Sequence, residues 1–449
     1  LAARGVQFSR AYSCNGVCVP ARASLMTGRY PLAHGVMNNH MNLHPDEPRM
    51  GRLFAEAGFQ TGYFGKTHFG DDPSDMTGEG WRESFLDGDY KAYLTQKGLA
   101  GKYPEKVVPR RLPLRYWQAG PSEIPEELYF ERVIADRAAD FVRRHRDRDF
   151  LCFLSMVAPH GPFTPPERIL RGFSAGDIPL RPRSPHELEG KPPAFQRWIR
   201  QNQAYLNDAE LGHFLAVMAA LVALVDEQVG RILDVLEEEG IAEETLIVFT
   251  SDHGDFSSAY GVIGKSWCMD DLLLRIPLIV AGPGGLAGSS SAALVQNCDI
   301  LPFLLEYSGL SCPVKVQGRS FGGSFADPSQ AHRDAVFACQ SNEFSGGRLV
   351  QSMVVRDGWK YVESTPECPQ LFDLINDPME WVNLAGRRDT ADRELALRGD
   401  LLQWHLEVSG GFFRPEVAGF WEDETCFYNE KLFTGERIRP TIPGSSGGH

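Results

Sequence analysis

The apolar positions along the chain change period several times, and the changes mark out its elements. Phe150–Val157 and Thr245–Thr250 are apolar runs with little alternation. Strands buried on both faces read this way. Arg275–Gly284 is a third such run, closed by a turn at Gly282-Pro283-Gly284. Other segments carry a 3.6-residue period. Glu126–His145 repeats through Leu128, Val133, Ile134, Ala138, Phe141 and Val142, and Leu215–Glu239 through Leu221, Leu224, Val229, Ile232 and Leu236; both spacings predict amphipathic helices. Leu1–Gly5 reads as the last turn of a helix with a glycine cap, followed by a strand over Val6–Tyr12. Leu53–Gly58 predicts a helix ended by glycine, with a strand at Gln60–Phe64 after it, and Asp299–Leu304 opens another helix.

The pattern changes toward the C-terminus. Ala335–Cys339, Gln351–Arg356 and Trp359–Glu363 read as antiparallel strands, with a hairpin turn at Asp357-Gly358, and Ala391–Val408 as a helix. Three stretches carry no usable period. Residues 71–125 are rich in Gly, Asp, Tyr and Pro and read as an insertion shaping a pocket. Residues 164–203 are rich in Pro and Arg and read as a long loop over it, and 317–324 is a Gly/Ser-rich loop. The tail Gly444–His449 reads as disordered. No internal repeat is present.

Length and charge then narrow the class. A chain of 449 residues can bury a sizeable core and suggests two to three domains. A net charge of -14 argues against a general nucleic-acid binder, though a few local cations could still dominate a site for an anion. The longest apolar stretch, Phe214–Val225, is shorter than a membrane span requires. The nine cysteines, at 14, 18, 152, 268, 298, 312, 339, 368 and 426, follow no framework spacing. They read as mostly reduced thiols, with no Cys-x-x-Cys zinc pair.

Candidate chemistry sits at element ends. Cys18-Val19-Pro20-Ala21-Arg22 opens an apolar-periodic segment, and Pro20 suits a first helical turn. Cys18 is therefore expected just outside a helix N-terminus, where an anion is favoured, with the Arg22 fork one turn on. A buried structural cysteine is the plainer alternative. Lys66 and His68 follow a strand end, where open α/β sheets place ligands; a solvated lysine and a capping histidine are the alternative. His160 lies between Pro159 and Pro162 at the end of an apolar run, either as a structural residue or as a proton carrier. Asp252-His253 ends the next run as a metal half-site or a helix cap, with Asp255 as loop support and Lys265 beyond.

Cys-x-Pro-x-Arg, continued by Leu25-Met26-Thr27-Gly28-Arg29-Tyr30-Pro31, resembles the signature of the type I, formylglycine-dependent sulfatases of the alkaline phosphatase superfamily, with Ala21 where most members have serine. Gly65-Lys66-Thr67-His68, Pro159-His160-Gly161-Pro162-Phe163, Ser251-Asp252-His253-Gly254 and Gly264-Lys265 resemble further motifs of that family, in its order. Many members carry asparagine where this chain has His253, and Phe256–Ile263 departs from the commoner wording and lacks its histidine. Asp299–Leu304 and Leu371–Pro378 with Asn383-Leu384 resemble landmarks of the main domain's end and of the small subdomain.

The resemblance implies an α/β fold, a mixed, largely parallel sheet sandwiched by helices, with a smaller C-terminal antiparallel subdomain. The boundaries expected are a catalytic domain over 1–325 and a subdomain with tail over 326–449. It also implies sulfate-ester hydrolysis by a formylglycine hydrate made from Cys18 by a maturation enzyme. Cys18 as formylglycine, Asp252 and His253 would hold a divalent metal. Oxygen ligands point to calcium, and the imidazole of His253 leaves manganese open. Arg22 would help hold the nucleophile, Lys66, His160 and Lys265 would take the sulfate charge, and His68 would assist release of sulfate. The family's acidic metal-binding pair lies on a strand ahead of this helix and is not in the sequence given, which is therefore expected to be a fragment; the compartment, cytoplasm or periplasm, stays open. The partners implied are a small sulfated substrate and the maturation enzyme. Two rivals stand: a formylglycine phosphonate monoester or phosphodiester hydrolase, and a non-catalytic binding protein on the same scaffold.

Overall fold

The computed structural model describes residues 1–68, 76–103, 119–203, 206–266, 268–311, 316–344 and 347–409. The strands are β1 (Gly5–Tyr12), β2 (Gln60–Gly65), β3 (Glu83–Phe85), β4 (Phe150–Ser155), β5 (Ile247–Thr250), β6 (Arg275–Ile276), β7 (Leu278–Ala281), β8 (Ser289–Gln296), β9 (Ala335–Phe344), β10 (Gly347–Arg356), β11 (Trp359–Thr365) and β12 (Gln370–Asp373). They form three sheets. One has the order β3-β2-β4, all parallel. A second has the order β5-β7-β1-β6 with antiparallel neighbours, and β8 joins β1 in parallel. The C-terminal sheet, β12-β11-β10-β9, is an antiparallel meander. The fold is thus mixed α/β with a C-terminal antiparallel sheet, its parallel pairs confined to β2–β3, β2–β4 and β1–β8.

The apolar stripes go where their period directs them. The Phe130–His145 helix lays Val133, Ile134, Ala138 and Phe141 against the Asp208–Glu238 helix and the β2–β4 sheet. The Asp208–Glu238 helix starts seven residues before its expected stripe because Asn207 and Glu210 form a reciprocal cap, at 3.0 and 2.9 Å. That addition makes the helix long and apolar enough to cross a membrane by length and composition, which the sequence pattern does not suggest. More than half of its most apolar window is buried inside this protein.

Two strands differ from expectation. β4 and β5 are half-buried along almost their whole length, not buried on both faces. Each has one hydrogen-bonded neighbour and leaves its other edge unpaired among the described residues. Both edges feed the same apolar clusters: Phe150 and Cys152 with Ile247 in one, Phe153 with Val248 in the other.

Helices occur in stretches without period. Asp87–Gln96 buries only Tyr90 and Leu94, and Pro193–Gln203 only Phe195 and Ile199. One apolar contact per turn is too sparse to register as a stripe. β8 opens on three serines and escapes a β-branched reading for the same kind of reason. Gly322–Ala326 forms a short helix within the Gly/Ser-rich stretch. The seven described cysteines, 14, 18, 152, 268, 298, 339 and 368, are free thiols; Cys312, Cys426 and the tail lie outside the described residues.

The C-terminal sheet carries the Ala391–Ser409 helix, whose Trp404 stacks on Phe337 with centroids 5.1 Å apart. Its hairpin turn takes φ of 52° at Asp357 and 78° at Gly358, the left-handed pair that suits a two-residue hairpin. A buried charge network joins this sheet to the rest. Lys360, 0% exposed, donates to Asp271 Oδ1 at 3.0 Å and to Glu380, while Tyr12 donates to Asp271 Oδ2 at 3.0 Å. Removing the cation would leave the buried Glu380 carboxylate and the half-buried Asp271 without it. Lys360→Met should therefore cost about 3–5 kcal/mol, read as a lower denaturant midpoint; a loss under about 1 kcal/mol would show the network to be dispensable.

His34 supplies a pH handle. The Val36 N–H donates to its Nδ1 at 3.2 Å, so Nε2 carries the proton and meets Ser24 Oγ at 3.0 Å. Burial, aided by Arg29, pushes the imidazole down to about 3. Between pH 6.5 and about 3 the unfolded chain binds a proton that the folded chain excludes. Stability therefore falls as pH falls through that window, by up to ~1.4 kcal/mol per pH unit. His34→Gln should flatten that part of the midpoint-versus-pH curve, measured by urea denaturation; a parallel curve would contradict it.

Candidate active site

The helix Cys18–Thr27 starts one residue earlier than the sequence suggests. Val17 is its N-cap and Cys18 its first residue, 1% exposed. Asn side chains fix the entry: Asn15 Oδ1 accepts the Val17 N–H and Asn39 Oδ1 the Val19 N–H, both at 2.9 Å. One turn on, Arg22 is buried and its fork meets protein acceptors. Nε–H donates to Thr67 O at 2.8 Å, and Nη2 to Lys66 O at 2.7 Å, Tyr63 Oη at 3.0 Å and Ser155 Oγ at 2.5 Å. Nη1 approaches Asp252 at 3.5 Å. The fork expected against an anion thus ties its helix to three other segments of chain.

Those segments are strand ends. β2 terminates at Gly65, whose φ of 112° and contact with Ser155 O, 2.0 Å from where a Cβ would sit, leave room for glycine only. Lys66 follows, its N–H donating to Ser155 O at 2.9 Å. Its Nζ lies 3.8 Å from Cys18 Sγ, and burial pushes its pKa down. His68 ends the same loop, half-buried, at φ 54°.

β5 delivers Asp252 and His253. His253 Nδ1 lies 2.7 Å from Gly254 O; a carbonyl only accepts, so Nδ1 holds the proton and Nε2 turns to Cys18 Sγ at 3.1 Å. The chain then winds back on itself: Asp255 Oδ1 accepts from the N–H groups of Ser257 and Gly264, at 2.8 and 3.2 Å. This is the loop support expected of Asp255. It returns Lys265 to the site, with Nζ 2.8 Å from both Cys18 Sγ and His253 Nε2.

The charges set one another. Burial alone would raise the Cys18 thiol, but His253, Lys265 and Lys66 outweigh it and hold it well below the ordinary thiol range. Burial likewise disfavours the Asp252 carboxylate, and His253, Lys66, Arg22 and Lys265 reverse the sign. His160, at the end of the loop after β4, responds oppositely. Burial, then Lys265 and Lys66, push it down to about 3, so the resting imidazole is neutral. Its Nδ1 sits 2.7 Å from Gly161 O, which leaves Nε2 as the nitrogen that would exchange a proton.

Ligand atoms of Cys18, Asp252 and His253 lie within 4.8 Å of one another, a sulfur, oxygen and nitrogen set able to hold a divalent ion. The structure brings Cys18, Arg22, Lys66, Asp252, His253 and Lys265 into direct contact, with His160 within reach of their field. Sequence reasoning did not find Tyr63 and Ser155, which hold Arg22. Ser155 left a faint signal as a hydroxyl ending an apolar strand; Tyr63, inside a strand and stacked on Phe153, left none.

Comparison with known proteins follows the same lines. The Sulfatase family model matches residues 1–310, and the model for the C-terminal part of N-sulphoglucosamine sulphohydrolase matches residues 259–406. The chain is 29% identical over 422 residues to the uncharacterized sulfatase YidJ of Escherichia coli, covering 92% of this chain and 82% of that protein. It is 29% identical to the ulvan-active sulfatase of Formosa agariphila, covering 99% and 80%. Among solved structures, the phosphonate monoester hydrolase of Silicibacter pomeroyi superposes with a TM-score of 0.79 at 22% identity, covering 90% of this chain and 89% of that one; at that identity the likeness is one of fold.

If Lys265 is the cation that keeps the Cys18 sulfur ionised, Lys265→Met should move thiol ionisation to higher pH. Ultraviolet thiolate absorbance would follow it, with Cys18→Ala as the blank. An unchanged titration would mean that the ammonium does not act on the sulfur.

Proposed function

We infer that this chain, which belongs to the sulfatase family, hydrolyses a small sulfate ester to an alcohol and sulfate, with the residue at position 18 converted from cysteine to formylglycine as the nucleophile. The observation that carries this reading is the convergence on Cys18 of Lys265, His253 and Lys66, at 2.8, 3.1 and 3.8 Å. An ordinary buried cysteine attracts no such ring of polar and charged groups.

The residues divide the work by position. Lys66 and Lys265 flank the nucleophile and would take the charge of a sulfate group as it becomes five-coordinate. One hydroxyl of the hydrated aldehyde gives up its proton to solvent as it attacks, and its oxygen forms the O–S bond while the S–O bond to the alcohol breaks. A bound sulfate monoanion offsets the two lysine charges that, after burial, hold His160 neutral. The imidazole then takes up a proton from solvent on Nε2 and hands it to the departing alcohol. Loss of a proton from the second hydroxyl, with His68 as the acceptor, expels sulfate and restores the aldehyde. Arg22 contributes by holding the Lys66–Thr67 backbone and Asp252.

A divalent metal would be held by Asp252, His253 and the oxygen at position 18, and when bound it would stabilise the ionised nucleophile. An imidazole is a poor calcium donor, so this set suits manganese better than calcium.

The second reading, phosphonate monoester hydrolysis, shares nucleophile and metal, and the fold likeness to such an enzyme keeps it in view. One experiment tests both. Protein coexpressed with a formylglycine-generating enzyme is expected to lose about 18 Da at position 18 by peptide mass spectrometry, whereas thiol oxidation only adds mass. The converted protein, given manganese or calcium, should hydrolyse sulfate esters faster than phosphonate monoesters. The opposite preference would select the second reading, and an unconverted thiol with no turnover would leave a non-catalytic binding protein.

A further inference from the structure

We propose that Glu131 is a positioning residue for His160, its carboxylate clamping the backbone of residues 157–158 so that the imidazole is held at the leaving-group side of the site. This rests on the reading that His160 hands a proton to the departing alcohol. Glu131 lies in the first turn of the Phe130–His145 helix and is 2% exposed. It lines a small cavity with the apolar Ile124, Phe130 and Leu221. Among the described residues no cation pairs with it, and its partners are backbone amides. Oε1 accepts the Ala158 N–H at 2.9 Å, and the N–H groups of Val157 and of Glu131 itself also act on the carboxylate. A carboxylate buried among apolar groups costs stability, and an aliphatic residue would fill the same space without that cost.

What the carboxylate holds is the loop bearing His160. From the clamped Val157, the His160 N–H reaches back to Val157 O at 2.9 Å, and the ring Nδ1 meets Gly161 O at 2.7 Å. One hydrogen bond therefore links the clamped residue to the His160 backbone, and a second holds the ring itself. Glu131, Val157, Ala158 and His160 also line one small cavity with Tyr129 and Thr164. Burial raises the Glu131 carboxyl while the amides oppose the rise, as expected of a group held by its donors. Glu131→Gln preserves the shape and one acceptor oxygen but turns an NH2 toward the loop.

The test uses converted, metal-loaded enzyme and a series of sulfate monoesters, with phosphonate monoesters in parallel, spanning good to poor leaving groups. His160→Asn should cost little on nitrophenyl esters and roughly 100-fold on alkyl esters, the usual size of a general-acid contribution. Glu131→Gln should show the same slope, with a loss of about tenfold on alkyl esters, under about threefold on nitrophenyl esters, and KM unchanged. The double variant should be no slower than His160→Asn. A loss equal across all esters, or one additive with His160→Asn, would reduce Glu131 to a structural residue. Where Glu131→Gln does not fold, Glu131→Asp is read in the same way. A second readout does not depend on turnover. In nitrogen-15 histidine spectra the His160 Nδ1–H resonance, assigned by its absence in His160→Asn, should exchange with water faster in the Glu131 variant. Unchanged exchange overturns the proposal even if no ester is hydrolysed.

Discussion

The guanidinium of Arg22 is the tie on which the site depends. It reaches from the first helix to the backbone oxygens of Lys66 and Thr67, to Tyr63 and Ser155 at two strand ends, and to Asp252 on a third. Each bond to a charged donor contributes about 1.5–3 kcal/mol in a buried setting. More important is what the bonds align. Lys66 and Asp252 are placed by segments far apart in sequence, and Arg22 is their shared neighbour. A lysine there could not reproduce the planar fork that serves several acceptors at once.

Electrostatics follow from that assembly. Lys66, Lys265 and Arg22 outnumber the anions Cys18 and Asp252, so the site is locally cationic in a chain whose net charge is -14. The surplus ionises the sulfur against its burial, and at His160 it adds to burial in keeping the imidazole neutral.

The remaining architecture holds these ends in register. Strands β4 and β5, each at an edge of its sheet, pack on the helices Phe130–His145 and Asp208–Glu238. The C-terminal sheet joins through Lys360 to Asp271. The neighbouring Leu273 O accepts the Gly254 N–H at 2.8 Å, in the loop that carries His253. A buried ion pair is thus two short steps from the turn that carries Asp252 and His253.

Sequence by itself determined the elements with strong period and the residues whose roles are local. The two long helices, most strand positions, the Asp357-Gly358 hairpin and the ends bearing Cys18, Lys66, His160, Asp252 and Lys265 were legible, because burial period and turn chemistry act over a few residues. Helices with one apolar contact per turn were not, and neither was the half-buried state of β4 and β5, which depends on what lies beside them. Only the tertiary structure decided that Lys265 reaches Cys18 across 247 positions, that the Arg22 fork faces protein acceptors, and that Tyr63, Ser155 and Glu131 support the site. The physical reason is that a side chain's charge state and partners are set by the field and donors around it. Those neighbours come from separate strands and loops, and no short-range pattern records them.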